Sequence, residues 1–235
     1  AAAADRTPRA DAELRRASVV VGLESYVDQV RPVLRTGTEV RTSGLGAEEE
    51  RAREAVELAR QGRAVALIGS GDAGVYAMAS PALQQAGTDI EVVGVPGVTA
   101  ALACAALLGA PLGHDHALIS LSDLHTPWSA IERRVRAAAE GDFVVCFYNP
   151  RSAQRDWQLA AALKILAEHR PAGTPVGAVR QASRDGQRVR CEPIADFDPA
   201  CVDMFTTVIV GCSSTRLVGG RMVTPRGYGW LPASR

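Results

Sequence analysis

The sequence predicts an α/β fold in two parts, the first with a mostly parallel sheet and the second with a mixed sheet. Short apolar runs alternate with segments of helical periodicity through the first half, as in parallel sheets covered by helices. The Pro- and Gly-rich stretch GAPLGHDH interrupts this alternation, so we place the two domains at residues 1–113 and 114–235. In the second half, two apolar runs flank the turn residues Asp185 and Gly186, which favours an antiparallel hairpin.

The first half contains four predicted strands separated by helices. The run AVALIG is apolar throughout, as expected of a strand buried on both faces. Glu residues cluster at the start of the helix before it, where the helix dipole favours negative charge. Thr99 is the predicted N-cap of the Ala-rich helix that ends this half. The predicted strands are 18–22, 38–42, 64–69 and 90–95, and the helices are 24–34, 47–61, 99–108 and a segment that ends near Gln85.

The second half contains five predicted strands and two helices. Its first strand runs into the polar segment SLSD, and its second strand ends at Asn-Pro, a turn signal. The tail TPRGYGW is predicted to be irregular. The predicted strands are 117–123, 142–150, 175–180, 187–194 and 206–211, and the helices are 128–139 and 153–168.

Charge and composition exclude several classes of function. The chain has 26 basic and 26 acidic residues, which argues against a general role on nucleic acid or a membrane surface. Aromatic residues are only 5% of the chain, few for a protein that stacks single-stranded bases. Its five cysteines are scattered without a C-x-x-C pair, so we expect a reducing compartment and no metal site. No apolar run has the length of a signal peptide or membrane span, and we expect a cytoplasmic protein.

The stretch IGSGDAGVYAMAS (68–80) contains the G-x-G-x-x-G pattern of dinucleotide-binding loops. In dinucleotide-binding folds, that pattern follows the first strand, and an acidic residue that binds the ribose lies at the end of the next strand. Here the loop follows the third predicted strand, and the acids of the next strand, Asp89 and Glu91, fall at its start. Asp72 within the loop would repel a pyrophosphate. The loop therefore favours a ligand with positive charge and donor groups, such as S-adenosylmethionine (SAM), unless Asp72 only fixes a structural turn.

Two motifs together carry a family resemblance. The segment SGDAGVYAMA followed by PGVTA (96–100) resembles the tetrapyrrole (class III) SAM-dependent methyltransferases, which share this pair. Two longer segments are similar to one branch of this family, the precorrin-3B C17-methyltransferases of cobalamin synthesis. They are GHDHALISLSDLHTPWSAIERRVRAAAEGDFVVCFYNPRS and VDMFTTVIVG. The resemblance runs from about Thr7 to Trp230, and SLSDLHTPW with FYNPRS is its branch-specific part.

This resemblance implies a fold and a reaction. The fold is a pair of αβα domains with the cofactor in the cleft between them, usually in a homodimer. The reaction transfers a methyl group from SAM to C17 of precorrin-3B and contracts the macrocycle to give precorrin-4. Relatives in the superfamily methylate other corrin carbons, a modified histidine of a translation factor, or ribosomal RNA. A non-catalytic nucleotide-binding module of a fusion protein is a further alternative.

The chain departs from the family pattern at its start. The family opens with a strand and a G-x-G-P-G-D loop, whereas here AAAAD directly precedes RTPRADAELRRA. We therefore expect the first strand and its loop to be absent from this chain. A fragment, a domain cut from a larger fusion, or a sequence that omits a loop would each account for the difference.

The resemblance also implies the cofactor contacts. Methyl transfer needs little side-chain chemistry, because the sulfonium is already activated and positioning does most of the work. Four of the expected residues match positions on the adenine side of the cofactor: Tyr148, Asn149, Met204 and Phe205. For Met204 and Phe205, the alternative is that they are ordinary core residues. The residues expected to contact SAM are Gly71, Asp72, Val75, Thr99, Ala100, Tyr148, Asn149, Met204 and Phe205.

Ring contraction requires proton transfers, so an acid or base is expected near the macrocycle. Asp123 is the first candidate, with Ser120 and Ser122 as hydrogen-bond partners of the substrate. Alternatively, this loop only caps the helix after Pro127. Three histidines near it in sequence could shuttle protons at neutral pH or only bond to backbone. They are His114, His116 and His125.

The substrate implied by the resemblance is a polycarboxylate tetrapyrrole. The basic residues are almost all arginine, which binds carboxylates in a bidentate manner. Codon usage in GC-rich DNA is the alternative explanation for that bias, and each arginine could equally be a solvated surface charge. The candidate anchors are Arg133, Arg134, Arg151, Arg155, Arg180 and Arg184.

Overall fold

A computed structural model describes residues 3–228 of the chain, which divide into two units at Ala100. The sequence placed the boundary between residues 113 and 114, after the Ala-rich helix. In the structure that helix belongs to the second unit, because it packs buried Ala101, Cys104 and Leu108 against strands of the second unit's sheet. The end of the tail predicted to be irregular, Gly229 and Trp230, lies outside the described residues.

The first unit is built on a three-stranded parallel sheet in the order β2-β1-β3. The central strand carries three consecutive valines that are almost fully buried, as its position between helices on both faces requires. Val20 packs with helices α1 and α2 on one face, while Val19 and Val21 pack with α3 on the other. The elements are α1 Pro8–Arg16, β1 Val19–Leu23, α2 Glu24–Val30, β2 Glu39–Ser43, α3 Glu48–Arg60, β3 Val65–Leu67 and α4 Ala79–Ala86, with 3-10 helices at Ala3–Asp5 and Arg31–Val33.

Two elements of this unit differ from the sequence prediction. The run 90–95 is not a strand, since no ladder joins it to β3 within residues 3–228, and Val93 is 55% exposed. Helix α1 was not predicted. Its start follows known capping rules, with Pro8 in the first turn and the Thr7 hydroxyl accepting a hydrogen bond from the Ala10 N–H.

The second unit contains the predicted mixed sheet. Its five strands lie in the order β5-β6-β9-β7-β8, with β5 and β6 parallel and the other neighbours antiparallel. The predicted hairpin is confirmed by the pairing of β7 with β8. Helices α6 and α7 cover one face, and α5 covers the other. The elements are α5 Ala100–Leu108, β4 Gly109–Ala110, β5 His116–Ser120, α6 Trp128–Glu140, β6 Val144–Tyr148, α7 Gln158–Ala167, β7 Pro175–Arg180, β8 Arg188–Pro193, β9 Thr206–Val210, β10 Arg216–Val218 and β11 Arg221–Val223, with a 3-10 helix at Pro199–Cys201.

A second, small sheet in the order β10-β11-β4 was not predicted, because its strands are only two or three residues long. It adds Met222 to the buried cluster under α5. In the described part of the chain, no helix is long and apolar enough to cross a membrane.

Candidate functional site

The carboxylate of Asp72 joins the two motifs that carry the family resemblance. Its Oδ1 accepts a hydrogen bond from the Gly74 N–H at 2.8 Å, within the loop that follows β3. Its Oδ2 accepts from the Gly97 N–H at 2.9 Å, in the PGVTA segment. Hydrogen bonds from backbone N–H groups to a carboxylate are charge-assisted and strong. Asp72 therefore fixes the geometry of both loops at once.

The two loops also touch backbone to backbone. A Cβ atom added to Gly97 would lie 2.1 Å from the carbonyl oxygen of Gly71, far inside van der Waals contact. Gly71 itself has a φ of +77°, which favours glycine. Glycine at both positions permits the approach that lets Asp72 bridge the segments.

Other predicted cofactor residues of the first unit lie on the same two segments. Val75 donates its N–H to the carbonyl oxygen of Asp72 at 3.2 Å and is half-buried. Thr99 is buried, with 9% of its surface exposed. Its side chain therefore has little exposed surface.

In the second unit, Tyr148 and the start of α5 come together. The Ala101 N–H, in the first turn of the helix, donates to the Tyr148 hydroxyl at 2.9 Å. Those first N–H groups have no partner within the helix, so the tyrosine satisfies one of them. The bond brings the side chain of Tyr148, the last residue of β6, to the first turn of α5, which begins at the predicted contact Ala100.

Asn149 and the two serines form a polar cluster after the parallel strands β5 and β6. Asn149 has a φ of +49°, a left-handed conformation that asparagine tolerates better than most residues. Its Nδ2 donates to the Ser120 Oγ at 3.1 Å, and the Ser122 N–H donates to the same oxygen at 3.2 Å. Ser120 accepts both bonds and keeps its own O–H to donate.

Asp123 lies exposed just beyond this cluster and binds a residue that the sequence did not single out. The Nε2 of Gln158, at the start of α7, donates to Oδ2 of Asp123 at 2.7 Å. Gln158 is buried, with 2% of its surface exposed. A signal was present in the sequence, because Gln158 falls in register with Ala162 and Leu166 on the apolar face of the helix.

Met204 and Phe205 are about half exposed, at 49% and 52%, so the core alternative is wrong for both. The neighbouring Asp203 carboxylate orients them by accepting the Phe205 N–H at 3.0 Å. Arg180 donates to Asp203 at 2.7 Å and lies 5.6 Å from the centroid of the Phe205 ring, within cation–π range. Partial burial opposes ionisation of Asp203, but hydrogen bonds from Thr206 and Arg180 outweigh it, and the pKa of the carboxyl lies below its ordinary value.

The three candidate histidines do not form a cluster. His114 and His116 lie at the start of β5, whereas His125 follows its end, and a five-residue strand separates its two ends by about 13 Å. The first two contact local backbone: the Asp115 N–H donates to His114 Nδ1, and His116 Nδ1 lies 3.2 Å from the His114 carbonyl oxygen. Within residues 3–228, no group of three His, Cys, Asp or Glu side chains could hold a metal ion.

Several candidate arginine anchors bind groups of the protein itself. Arg151 donates to the Ala200 carbonyl oxygen, Arg155 donates to the Asn149 carbonyl oxygen, and Arg180 pairs with Asp203. The two arginines of α6, Arg133 and Arg134, are exposed, and Arg184 is half-buried.

Comparisons with known proteins identify the family and several relatives of this chain. A family model described as Tetrapyrrole (Corrin/Porphyrin) Methylases matches residues 2–198. The chain is 47% identical over 218 residues to a probable cobalt-factor III C(17)-methyltransferase of Salmonella typhimurium, covering 92% of this chain and 90% of that protein. It is 39% identical over 221 residues to a precorrin-3B C(17)-methyltransferase of a Sinorhizobium species, covering 90% of this chain and 85% of that one.

Solved structures and longer relatives complete the comparison. The crystal structure of the methyltransferase CobJ superposes with a TM-score of 0.89 at 39% identity, over 93% of both chains. Several other curated relatives are longer, and this chain spans between 42% and 49% of their length. The matched residues and the shared fold together show that the chain belongs to the tetrapyrrole (corrin/porphyrin) methylase family.

Proposed function

We propose that the chain is a SAM-dependent C-methyltransferase of cobalamin biosynthesis. It methylates C17 of precorrin-3B and contracts the macrocycle to give precorrin-4, or performs the same conversion on the cobalt-containing counterpart. The observation that carries this proposal is the similarity to two proteins named C17-methyltransferases, each aligned over at least 90% of this chain. The more similar one is named for cobalt-factor III and the other for precorrin-3B, so both tetrapyrroles are candidate substrates.

The residues present fit SAM as the cofactor. When bound, SAM supplies a methyl group already activated on its sulfonium. The bridged loops around Asp72 present backbone groups, and the exposed side chains of Met204 and Phe205 offer apolar surface to an adenine ring. Both oxygens of Asp72 already accept backbone N–H groups, which supports a role in shaping the loop. The nine residues expected from the sequence are retained as the proposed SAM site, in which Asp72 shapes the loop that presents backbone groups to the cofactor.

We assign the proton transfers of ring contraction to Asp123. Its exposed carboxylate follows β5, and the Ser120 hydroxyl, fixed by Asn149 and Ser122, offers a donor to the macrocycle nearby in sequence. General acid–base catalysis by a positioned carboxylate contributes about 10²–10⁴-fold in rate. Asp123→Ala should therefore lower kcat for ring contraction by about 10²-fold or more, and a variant that converts precorrin-3B as fast as the parent would refute the assignment.

The experiment that tests the function is incubation with SAM and each tetrapyrrole separately, followed by mass analysis of the product. We expect the mass of one methyl group to be added to precorrin-3B, to cobalt-factor III, or to both. Methylation of neither, with transfer to another corrin, a protein or ribosomal RNA, would instead favour another activity of the same superfamily.

A non-catalytic nucleotide-binding module is the alternative from a different class. Calorimetric titration with SAM and with NADH separates the two readings. Binding of SAM with no binding of NADH is expected for the methyltransferase, and the reverse pattern would overturn it.

We also propose that the protein is a cytoplasmic homodimer, as the family resemblance implies. All five cysteines are free thiols, and free thiols are typical of a reducing compartment. Light scattering of the purified chain tests the oligomeric state, and a monomer at micromolar concentration would argue against the dimer.

A further inference from the structure

Gln158 carries an unsatisfied polar atom in the core of the second unit. Its Nε2 donates to Asp123, but its Oε1 is buried and has no hydrogen-bond partner among the described residues. A buried carbonyl oxygen without a partner lowers stability, because it loses its hydrogen bonds to water and gains none.

Packing alone does not explain a glutamine at this position. Its neighbours along the buried face of α7 are Leu159, Ala162 and Leu166, and an apolar side chain of similar length would fill the same space without an unsatisfied oxygen. The feature specific to glutamine is the bond to Asp123, which makes that bond the reason for the residue.

An aromatic contact fixes the geometry of the pair. Trp128, the first residue of α6, packs edge-on against Trp157, which immediately precedes Gln158, with ring centroids 4.8 Å apart. The contact joins the starts of the two helices. Asp123 lies on the loop that leads into α6, so the same contact limits the movement of both members of the pair.

We propose that Gln158 is a positioning residue for the reaction, acting through Asp123. Its amide holds Oδ2, and this leaves Oδ1 to exchange a proton with the tetrapyrrole. When Oδ1 takes up a proton, Oδ2 is still an acceptor, so the Nε2–H bond persists in both protonation states. The role of the proton transfer rests on the proposed function, whereas the pairing itself does not.

The test is Gln158→Met, which keeps the length of the side chain and removes its donor and its unsatisfied acceptor. We expect the Tm to stay close to that of the wild type, because removal of the unpaired buried Oε1 offsets loss of the hydrogen bond to the exposed Asp123 carboxylate. In contrast, kcat should fall about tenfold with the KM for SAM unchanged, because Asp123 is no longer held in place. Gln154→Met, at an exposed position in the same segment, is the matched control and should keep the wild-type kcat.

A double variant shows whether Gln158 acts through Asp123. Asp123→Ala combined with Gln158→Met should have the kcat of Asp123→Ala alone, because the partner of the glutamine is already absent. Three results would each overturn the proposal. They are a double variant whose fall in kcat is the product of the two single falls, a Gln158→Met variant with unchanged kcat, and a fall in kcat of Gln158→Met that is accompanied by a lower Tm.

A spectroscopic measurement separates this inference from the proposed function. The side-chain amide signal of Gln158 in a ¹H–¹⁵N spectrum, assigned by its loss in Gln158→Met, should shift in Asp123→Ala. If the wild type methylates no tetrapyrrole, the proposed function fails while this shift still tests the pairing. If the chemical shift of the Gln158 amide is the same in Asp123→Ala as in the wild type, the pairing is overturned, whatever the activity.

Discussion

At the level of single residues, the Asp72 carboxylate connects two distant segments of the first unit. From the sequence, this residue could bind a cationic ligand or fix a turn. In the structure each of its oxygens accepts a backbone N–H, one from its own loop and one from a glycine 25 residues later. The long-range bond could not be predicted from the sequence, because it depends on how closely the two segments approach after folding.

Asp72→Asn tests this position. Asparagine has one acceptor oxygen, so its NH₂ group must face one of the two backbone N–H donors. We expect the free energy of unfolding to fall by about 1.5–3 kcal/mol, the range for a hydrogen bond to a charged group, and the affinity for SAM to fall with it. Urea denaturation and calorimetry measure the two effects.

The control for this variant is Asp89→Asn, an exposed carboxylate in the same unit whose nearest ion-pair distance is 3.5 Å. It should change stability little, because exposed ion pairs contribute little. If Asp72→Asn lost SAM affinity at unchanged stability, Asp72 would instead contact the cofactor directly.

At the level of secondary structure, sequence patterns located both buried and exposed strands, but they did not show which apolar run lacks a hydrogen-bonded neighbour. The valine-rich β1 and the apolar β3 fall where they were expected, because a strand covered on both faces must be apolar throughout. The run 90–95 has similar residues but no ladder to a neighbour among the described strands. Composition does not show which runs find a hydrogen-bonded partner.

The same limit applies to α5 and α7. The extent of α5 was predicted well, but its packing against the second unit was not, because helical periodicity does not show which sheet a helix covers. For α7, the helix was expected to begin at residue 153 and begins at Gln158. From the sequence, Gln158 was an ordinary residue in the middle of a helix, so its hydrogen bond to Asp123 was not predicted.

Contact between the two loops of the first unit predicts an effect at Gly97. In Gly97→Ala the new Cβ meets the Gly71 carbonyl oxygen at 2.1 Å, and backbone cannot move aside cheaply. We expect a loss of about 1–3 kcal/mol in the free energy of unfolding, together with weaker SAM binding. Gly94→Ala is the control, because nothing lies within 4 Å of its added Cβ. Equal stability of the two variants would contradict the close approach.

At the level of the whole molecule, the ion pair between Arg170 and Asp142 makes the stability of the second unit depend on pH. The buried Arg170 donates to carbonyl oxygens at the end of α6 and pairs with Asp142 at 2.9 Å. Partial burial opposes ionisation of Asp142, but hydrogen bonds from Ser213 and the charge of Arg170 outweigh it. The pKa of this carboxyl therefore lies below its ordinary value, and Asp142 stabilises the fold only while it is ionised.

Asp142→Asn should consequently reduce the fall of Tm that the protein shows at acidic pH. The contribution of a carboxyl with a lowered pKa is fully present above its unfolded pKa of about 4 and is lost as the pH falls through the folded value. The wild type should therefore lose more Tm than the variant between about pH 4 and pH 2. Asp156→Asn, at an exposed position, is the control, and a wild-type slope equal to that of Asp142→Asn would contradict the role of the pair.

The most direct test of the proposed function is the position of the transferred methyl group. Precorrin-3B and cobalt-factor III are each incubated with the protein and SAM that carries a ¹³C-labelled methyl group, and the product is examined by carbon NMR. We expect one labelled methyl group, bonded to C17 of a ring-contracted macrocycle, from at least one of the two substrates. Label on another ring carbon, or no label in either tetrapyrrole, would contradict C17 methylation by this chain.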